Sequence, residues 1–319
     1  PDGAGRGSVP GRACRGDRRQ AAALIMTETR TGGAPALLIA NDKSRRGSEI
    51  APFEAALRAG GLEIRRETVD DAAALPTRIR ELASEVSCVL LGGGDGTLHT
   101  ALPALRDTGL PLGILPLGTA NDLARSLDIP DTPDEAAAVV LAGRIRSIDV
   151  GTVNGIPYFN VASLGLSVAV TENLSGIMKR RFGMLAYPIA AALTIAKYRR
   201  FSVALRADGE EILARTLQVA VGNGRYYGGG NLVHADAEID DGILDVYSLE
   251  PRAWWRLVVM ARAFRNGEHD RIREVRSLRC RTLSVTTKKP HDVSADGEIV
   301  TKTPAEFTVL RNAVRVFVP

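Results

Sequence analysis

From residue 35 to about residue 146, short wholly apolar runs alternate with stretches whose apolar residues recur every three or four positions. Residues 36–40, Ala-Leu-Leu-Ile-Ala, form one such run and predict a short strand buried on both faces. Residues 50–59 set Phe53 and Leu57 one helical turn apart, and Gly60-Gly61 follows as a helix stop. The same reading predicts strands at 62–68, 86–91 and 112–115 and a helix at 72–83. Thr132-Pro133-Asp134-Glu135 ahead of an alanine run opens another helix. Strand and helix in alternation predict a parallel sheet with helices on both faces.

After Ile148-Asp149-Val150 the pattern changes. Residues 202–207 and 211–221 flank Asp208-Gly209, a pair that tolerates the positive φ of a tight hairpin turn. Further strands are predicted at 243–249, 283–287, 293–295, 307–310 and 314–318, with helices near 184–197 and 252–265. The fold class expected is α/β followed by β: an N-terminal parallel-sheet α/β domain over 34–147 and a C-terminal antiparallel β-sandwich over 148–304.

Residues 1–33 stand apart. PDGAGRGSVPGRACRGDRRQ is rich in Gly, Arg and Pro and has no apolar periodicity. Two readings stay open: a spurious extension with Met26 as the true start, or a disordered basic tail that touches anionic lipid. Residues 1–30 hold six Arg against Asp2, Asp17 and Glu28, so about +3 of the formal +4 lies there. The body is left near neutral, which argues against a nucleic-acid footprint. Three dispersed cysteines suit a reducing compartment and offer no zinc site. The longest apolar stretch, residues 184–196, falls short of the roughly twenty residues a spanning helix needs.

Candidate chemistry gathers at two strand ends. Leu91-Gly92-Gly93-Gly94-Asp95-Gly96-Thr97 leaves an apolar strand and enters a helix. Glycine lets the backbone approach a ligand closely, and the free N–H groups of a helix start favour a phosphate. Ile114-Leu115-Pro116-Leu117-Gly118-Thr119-Ala120-Asn121-Asp122 repeats the plan about twenty residues on. Both turns fall at the carboxyl edge of a parallel sheet, where α/β folds bind ligands. They read as a nucleotide site, although neither matches G-x-G-x-x-G or G-x-x-x-x-G-K-[ST].

GGGDGT followed by PLGTAND resembles the diacylglycerol kinase catalytic-domain family, and more closely its bacterial YegS-like lipid kinases. Leu37–Ser44, Val221-Gly222-Asn223-Gly224-Arg225-Tyr226-Tyr227-Gly228-Gly229-Gly230, Asp240-Asp241-Gly242-Ile243-Leu244-Asp245-Val246 and Asp296-Gly297-Glu298 extend the likeness, in the family's order, over residues 36–318. The resemblance implies a kinase using ATP and Mg²⁺ on a lipid hydroxyl of the diacylglycerol or phosphatidylglycerol class. It also implies that the last strands, 305–319, return to the first domain.

Position by position, it implies nucleotide contacts at Thr68, at Gly92, Gly93, Gly94, Asp95, Gly96, Thr97, Leu98, His99 and Thr100, and at Thr119 and Asn121. Asp95 could hold Mg²⁺ or orient the nucleotide, or merely brace its own turn. Glu298 is favoured as the base for the hydroxyl, with Asp296 beside it. A metal remote from the nucleotide would take the Asp241 carboxylate and the main-chain oxygens of Glu238 and Ile243. One departure stands out: the family commonly continues GGGDGT with an aliphatic residue and Asn-Glu, where this chain has Leu98-His99-Thr100. Loss of that negative charge motivates a rival reading, a nucleotide- or lipid-binding regulator without turnover; an NAD kinase is the enzymatic rival.

Basic residues bracket the apolar segment 184–196, and Trp254-Trp255-Arg256 opens another such segment. They fit transient peripheral contact with anionic lipid, equally well solvated helix ends. The expected setting is cytoplasmic, transiently at the inner membrane face. The lipid substrate is the expected partner, nucleic acid is not, and a homodimer is left open.

Overall fold

The computed structural model describes residues 26–27, 33–40, 46–69, 71–173, 198–224, 226–227, 231–232, 237–251 and 274–319. The first half contains β1 (Met26–Thr27), β2 (Ala36–Ala40), α1 (Ile50–Ala59), β3 (Ile64–Glu67), α2 (Leu75–Leu82) and β4 (Cys88–Gly93). It continues through α3 (Asp95–Thr108), β5 (Leu112–Pro116), α4 (Asp122–Ser126) and α5 (Pro133–Ala142). The second half holds β6 (Arg144–Val153), β7 (Ile156–Tyr158), β8 (Val161–Gly165), α6 (Leu166–Asn173), β9 (Phe201–Ala207), β10 (Glu210–Thr216) and β11 (Gln218–Gly222). The short β12 (Tyr226–Tyr227) and β13 (Asn231–Leu232) lead to β14 (Leu244–Leu249), β15 (Val275–Cys280), β16 (Thr282–Thr287), β17 (Asp292–Ala295), β18 (Glu298–Lys302) and β19 (Ala305–Phe317).

In the first half β3, β2, β4 and β5 lie side by side and parallel. The apolar runs supply both faces at once, as the period of two requires. Leu37 and Ile39 of β2 pack toward α2 and α3, while Ala36, Leu38 and Ala40 pack toward α1 and α5. On α1, Ile50, Phe53 and Leu57 form the buried stripe, each fully buried aliphatic or aromatic side chain contributing about 1.5–3 kcal/mol. Gly60 ends α1 at φ −78° and Gly61 takes the positive φ of 82°. Both faces of the sheet are thus covered, and its carboxyl edge is left to the loops after β4 and β5.

The second half has an antiparallel sheet in the order β15-β14-β11-β8-β17-β18. It faces β9 and β16, with Leu164, Val203, Leu205, Val219, Val285 and Phe307 in the core between. The long sheet itself is shared. β19 runs antiparallel to β6 along one side, and its other side pairs with β16 at the start and in parallel with β5 at the end.

Two expectations are revised. The single run predicted over 211–221 is two strands: β10 ends at Thr216, the chain crosses at Leu217, and β11 enters the other sheet. The turn is held by the Thr216 hydroxyl, 2.7 Å from Gln218 O and 2.8 Å from Leu249 O. Conversely, the two strands predicted at 307–310 and 314–318 are one strand, β19, interrupted by a bulge at Asn312 with φ 51°. The helices expected near 184–197 and 252–265 lie outside the described residues.

Candidate active site at the meeting of two turns

β4 ends in glycine and α3 begins at once, with Asp95 as its first residue and Gly94 extended before it. The turn after β5 lies directly against this one. Leu117 N–H donates to Gly93 O at 2.9 Å, and the two glycine backbones touch. A Cβ on Gly94 would stand 2.9 Å from Gly118 Cα, and one on Gly118 would stand 2.6 Å from Gly94 Cα. No side chain fits between them.

Asp95 bridges the same two turns. Its Oδ1 accepts from Leu123 N–H at 3.2 Å, in the first turn of α4. Burial pushes this carboxyl above its ordinary value; the Leu123 N–H opposes the rise, and the charges of Asp122 and Asp296 add to it. Asn121 starts α4 in the left-handed region at φ 50°, which Asn tolerates, and donates Nδ2–H to Gly118 O at 3.2 Å. Its buried Oδ1 has no hydrogen-bond partner. Thr119 and Thr68 are exposed, the latter just past the carboxyl end of β3. Thr97 and Thr100 are half-buried on α3, and the Thr100 hydroxyl is spent on Gly96 O at 2.9 Å. Leu98 is core.

Across from these turns stands the Asp296-Gly297 corner between β17 and β18, with φ of 47° and 95°. Asp-Gly suits this hairpin because both turn positions need positive φ. The Asp296 side chain is 1% exposed. Its Oδ1 accepts from Asn160 N–H at 2.9 Å and Val161 N–H at 3.2 Å, and its Oδ2 from Phe159 N–H at 2.8 Å. His99 Nδ1, from α3, lies 3.0 Å from the same Oδ2. Asp296 is therefore fully occupied as an acceptor, whereas Glu298, two residues on, is exposed. Burial lowers the His99 pKa, but the hydrogen bond and charge of Asp296 and the charge of Glu298 outweigh it and leave the imidazole raised above 6.5.

The loop carrying Glu238, Asp241 and Ile243 is fastened elsewhere. Gly242 N–H donates to the buried Asp149 Oδ2 at 2.7 Å, while Asp149 Oδ1 accepts from Asn312 N–H at 2.7 Å. Asp241 Oδ1 accepts from Ile243 N–H at 2.9 Å, and its Oδ2 pairs with Arg279 Nη2 at 2.6 Å. Arg279 Nε also donates to Asp245 Oδ1 at 2.9 Å. Burial pushes Asp241 up to about 6, against the pull of Arg279. Among the described residues no three His, Cys, Asp or Glu side chains stand together as a metal cluster. A cation here would have one carboxylate, the main-chain oxygens, and Arg279 as a competitor.

Sequence reading overlooked three contributors. The main-chain N–H groups of residues 159–161 carry no side-chain signal at all. Arg279 looks like any strand-face arginine. Asp149 did leave a trace, as a lone carboxylate inside an apolar run.

The model of the diacylglycerol kinase catalytic domain matches residues 35–153, and that of the YegS C-terminal NAD kinase beta sandwich-like domain matches residues 160–318. A protein of Pseudomonas aeruginosa (strain UCBPP-PA14) named "Probable lipid kinase YegS-like" is 34% identical over 286 residues, covering 89% of this chain and 94% of that one. A "Diacylglycerol kinase" of Mycobacterium tuberculosis (strain ATCC 25618 / H37Rv) is 33% identical over 245 residues, 75% of this chain and 79% of that one. The fold is similar to a crystal structure of a diacylglycerol kinase from Bacillus anthracis str. Sterne, with TM-score 0.71, 22% identity, and coverage of 91% of this chain and 98% of that one.

Proposed function

Because the chain belongs to the YegS-like diacylglycerol kinase family, we propose that it moves the γ-phosphoryl group of ATP to a lipid hydroxyl, of diacylglycerol or phosphatidylglycerol. The observation that carries this reading is the contact between the Asp296-Gly297-Glu298 corner and α3, the helix whose N-terminus follows the glycine turn. On this reading a carboxylate corner stands near the end of a phosphate cradle.

In the proposed reaction the turn from Gly92 to Thr97 holds the phosphates at the N-terminus of α3, while Thr68, Thr119 and Asn121 meet the rest of the nucleotide. A lipid alcohol is a weak acid, so Glu298 accepts its proton as the oxygen attacks the γ-phosphorus and ADP departs. Asp296, with both oxygens engaged, positions the corner. Mg²⁺ bound with the nucleotide would neutralise charge developing on the phosphates. A second Mg²⁺ at Asp241 and the oxygens of Glu238 and Ile243 would brace the neighbouring loop. The lipid draws the protein to a membrane surface peripherally; among the described residues no helix is long and apolar enough to cross. The 184–196 and 254–265 segments that would make this contact lie outside the described residues.

The test supplies γ-labelled ATP, Mg²⁺ and a panel of lipids in mixed micelles, and identifies extracted products by mass. Labelled lipid is expected, and Glu298→Gln should lower kcat by about 10²–10⁴-fold with an unchanged circular dichroism spectrum. ATP binding without labelled lipid would favour the regulator that Thr100 motivates. Labelled NADP in the aqueous phase would make it an NAD kinase.

A further inference from the structure

His99 reaches from α3 to the Asp296 corner. Nδ1 lies 3.0 Å from Asp296 Oδ2, and the imidazole is only 11% exposed. An ionised carboxylate only accepts, so the proton sits on Nδ1 in the neutral ring. Asn Nδ2 is as many bonds from the backbone as His Nδ1, so Asn could make the same bond without a titrating proton. Gln carries its amide one bond further and could not.

We propose that His99 is a positioning residue that holds the Asp296–Glu298 corner against α3, and that its protonation makes this clasp pH-responsive where an asparagine would be indifferent. Asp296 is already fixed by three consecutive main-chain N–H groups. His99 therefore ties α3 to a corner that is itself rigidly tied to the start of β8. The groups facing the ring are few. Asp296 and Glu298 come from the corner. Asp95 lies one turn earlier on α3, and Tyr158 of β7 stays neutral because burial pushes its phenol well above the ordinary value. Arg80 of α2 is paired with Asp107 near the other end of α3. The short helical turn at 72–74 is all alanine, and β4 and β19 turn apolar side chains to this face.

The kinetic arm rests on the lipid-kinase reading; the spectroscopic arm does not. In imidazole ¹H–¹⁵N spectra of the whole protein, His99 should show the Nδ1–H tautomer at high pH and a pKa above 6.5 that falls in Asp296→Asn. An Nε2–H tautomer, or a titration indifferent to Asp296→Asn, would overturn the clasp whether or not any lipid is phosphorylated. In kinetics, His99→Ala and His99→Gln should lower kcat about 10–100-fold with a smaller change in KM for ATP. His99→Asn should recover most of that loss and remove one ionisation from the pH–rate profile. His99→Asn as poor as His99→Ala, or retaining the ionisation, would refute the proposal even if His99→Ala fails to fold.

Discussion

Gly94 and Gly118 meet backbone to backbone, whereas Gly96, two residues along, has nothing within 4 Å of where a Cβ would stand. The three glycines thus separate two demands that their sequence context presents as one. Gly118→Ala forces a carbon into Gly94 and Asn121 Oδ1, and should cost about 1–3 kcal/mol, visible as a lower Tm. Gly96→Ala should leave Tm unchanged or slightly raised, since alanine is the better helix former. Its ATP affinity should still fall if that face of the turn is where phosphate approaches; calorimetry showing unchanged affinity would remove Gly96 from the site. His99 adds a pH signature. Its raised pKa means that the charge attraction to Asp296 contributes fully below 6.5 and is lost as pH rises through the folded value, while the Nδ1–H bond of the neutral ring stays. As pH rises above 6.5 the wild type should therefore lose stability relative to His99→Asn. The residue types of this site could be read from the chain, but their partners could not: Asp296 takes its bonds from main-chain N–H groups, which every residue offers alike.

The elements were legible where one period ran unbroken, as in β2 or α1, and illegible where the chain changed sheet. Residues 211–221 keep one β-like pattern across the crossing at Leu217, because both β10 and β11 need alternate or buried apolar residues. The break is marked only by a threonine hydroxyl bonding across to Leu249. β15 was missed for a different reason: Val275–Cys280 carries Arg276 and Arg279, and charged residues on a half-exposed strand dilute the apolar signal. Arg279 has a consequence at the loop before β14. By holding Asp241 and Asp245 together it supplies the positive charge that a divalent ion would otherwise bring. Arg279→Ala should show a larger Mg²⁺-dependent rise in Tm than the wild type, because the Asp241 carboxylate is released to the ion. Equal responses in a thermal shift titration would mean that the loop and arginine do not compete for a cation.

At the scale of the molecule the two halves share β19, which lies beside β6 throughout, borders β16 at its start and β5 at its end. Its pairing could not be read from the chain, since its partners are distant in sequence and register leaves no local trace. Sharing a strand couples the stabilities of the halves. Urea unfolding followed by far-UV circular dichroism and by ATP binding should give one coincident transition, and two separated midpoints would show that the halves melt independently. The order of synthesis adds something of its own. A ribosome delivers residues 305–317 after every strand they join, so the nascent chain waits with β5 open-edged and β6 lacking its longest neighbour. Until that strand emerges nothing lies between β16 and β5, so the sheet that the two halves share is completed last.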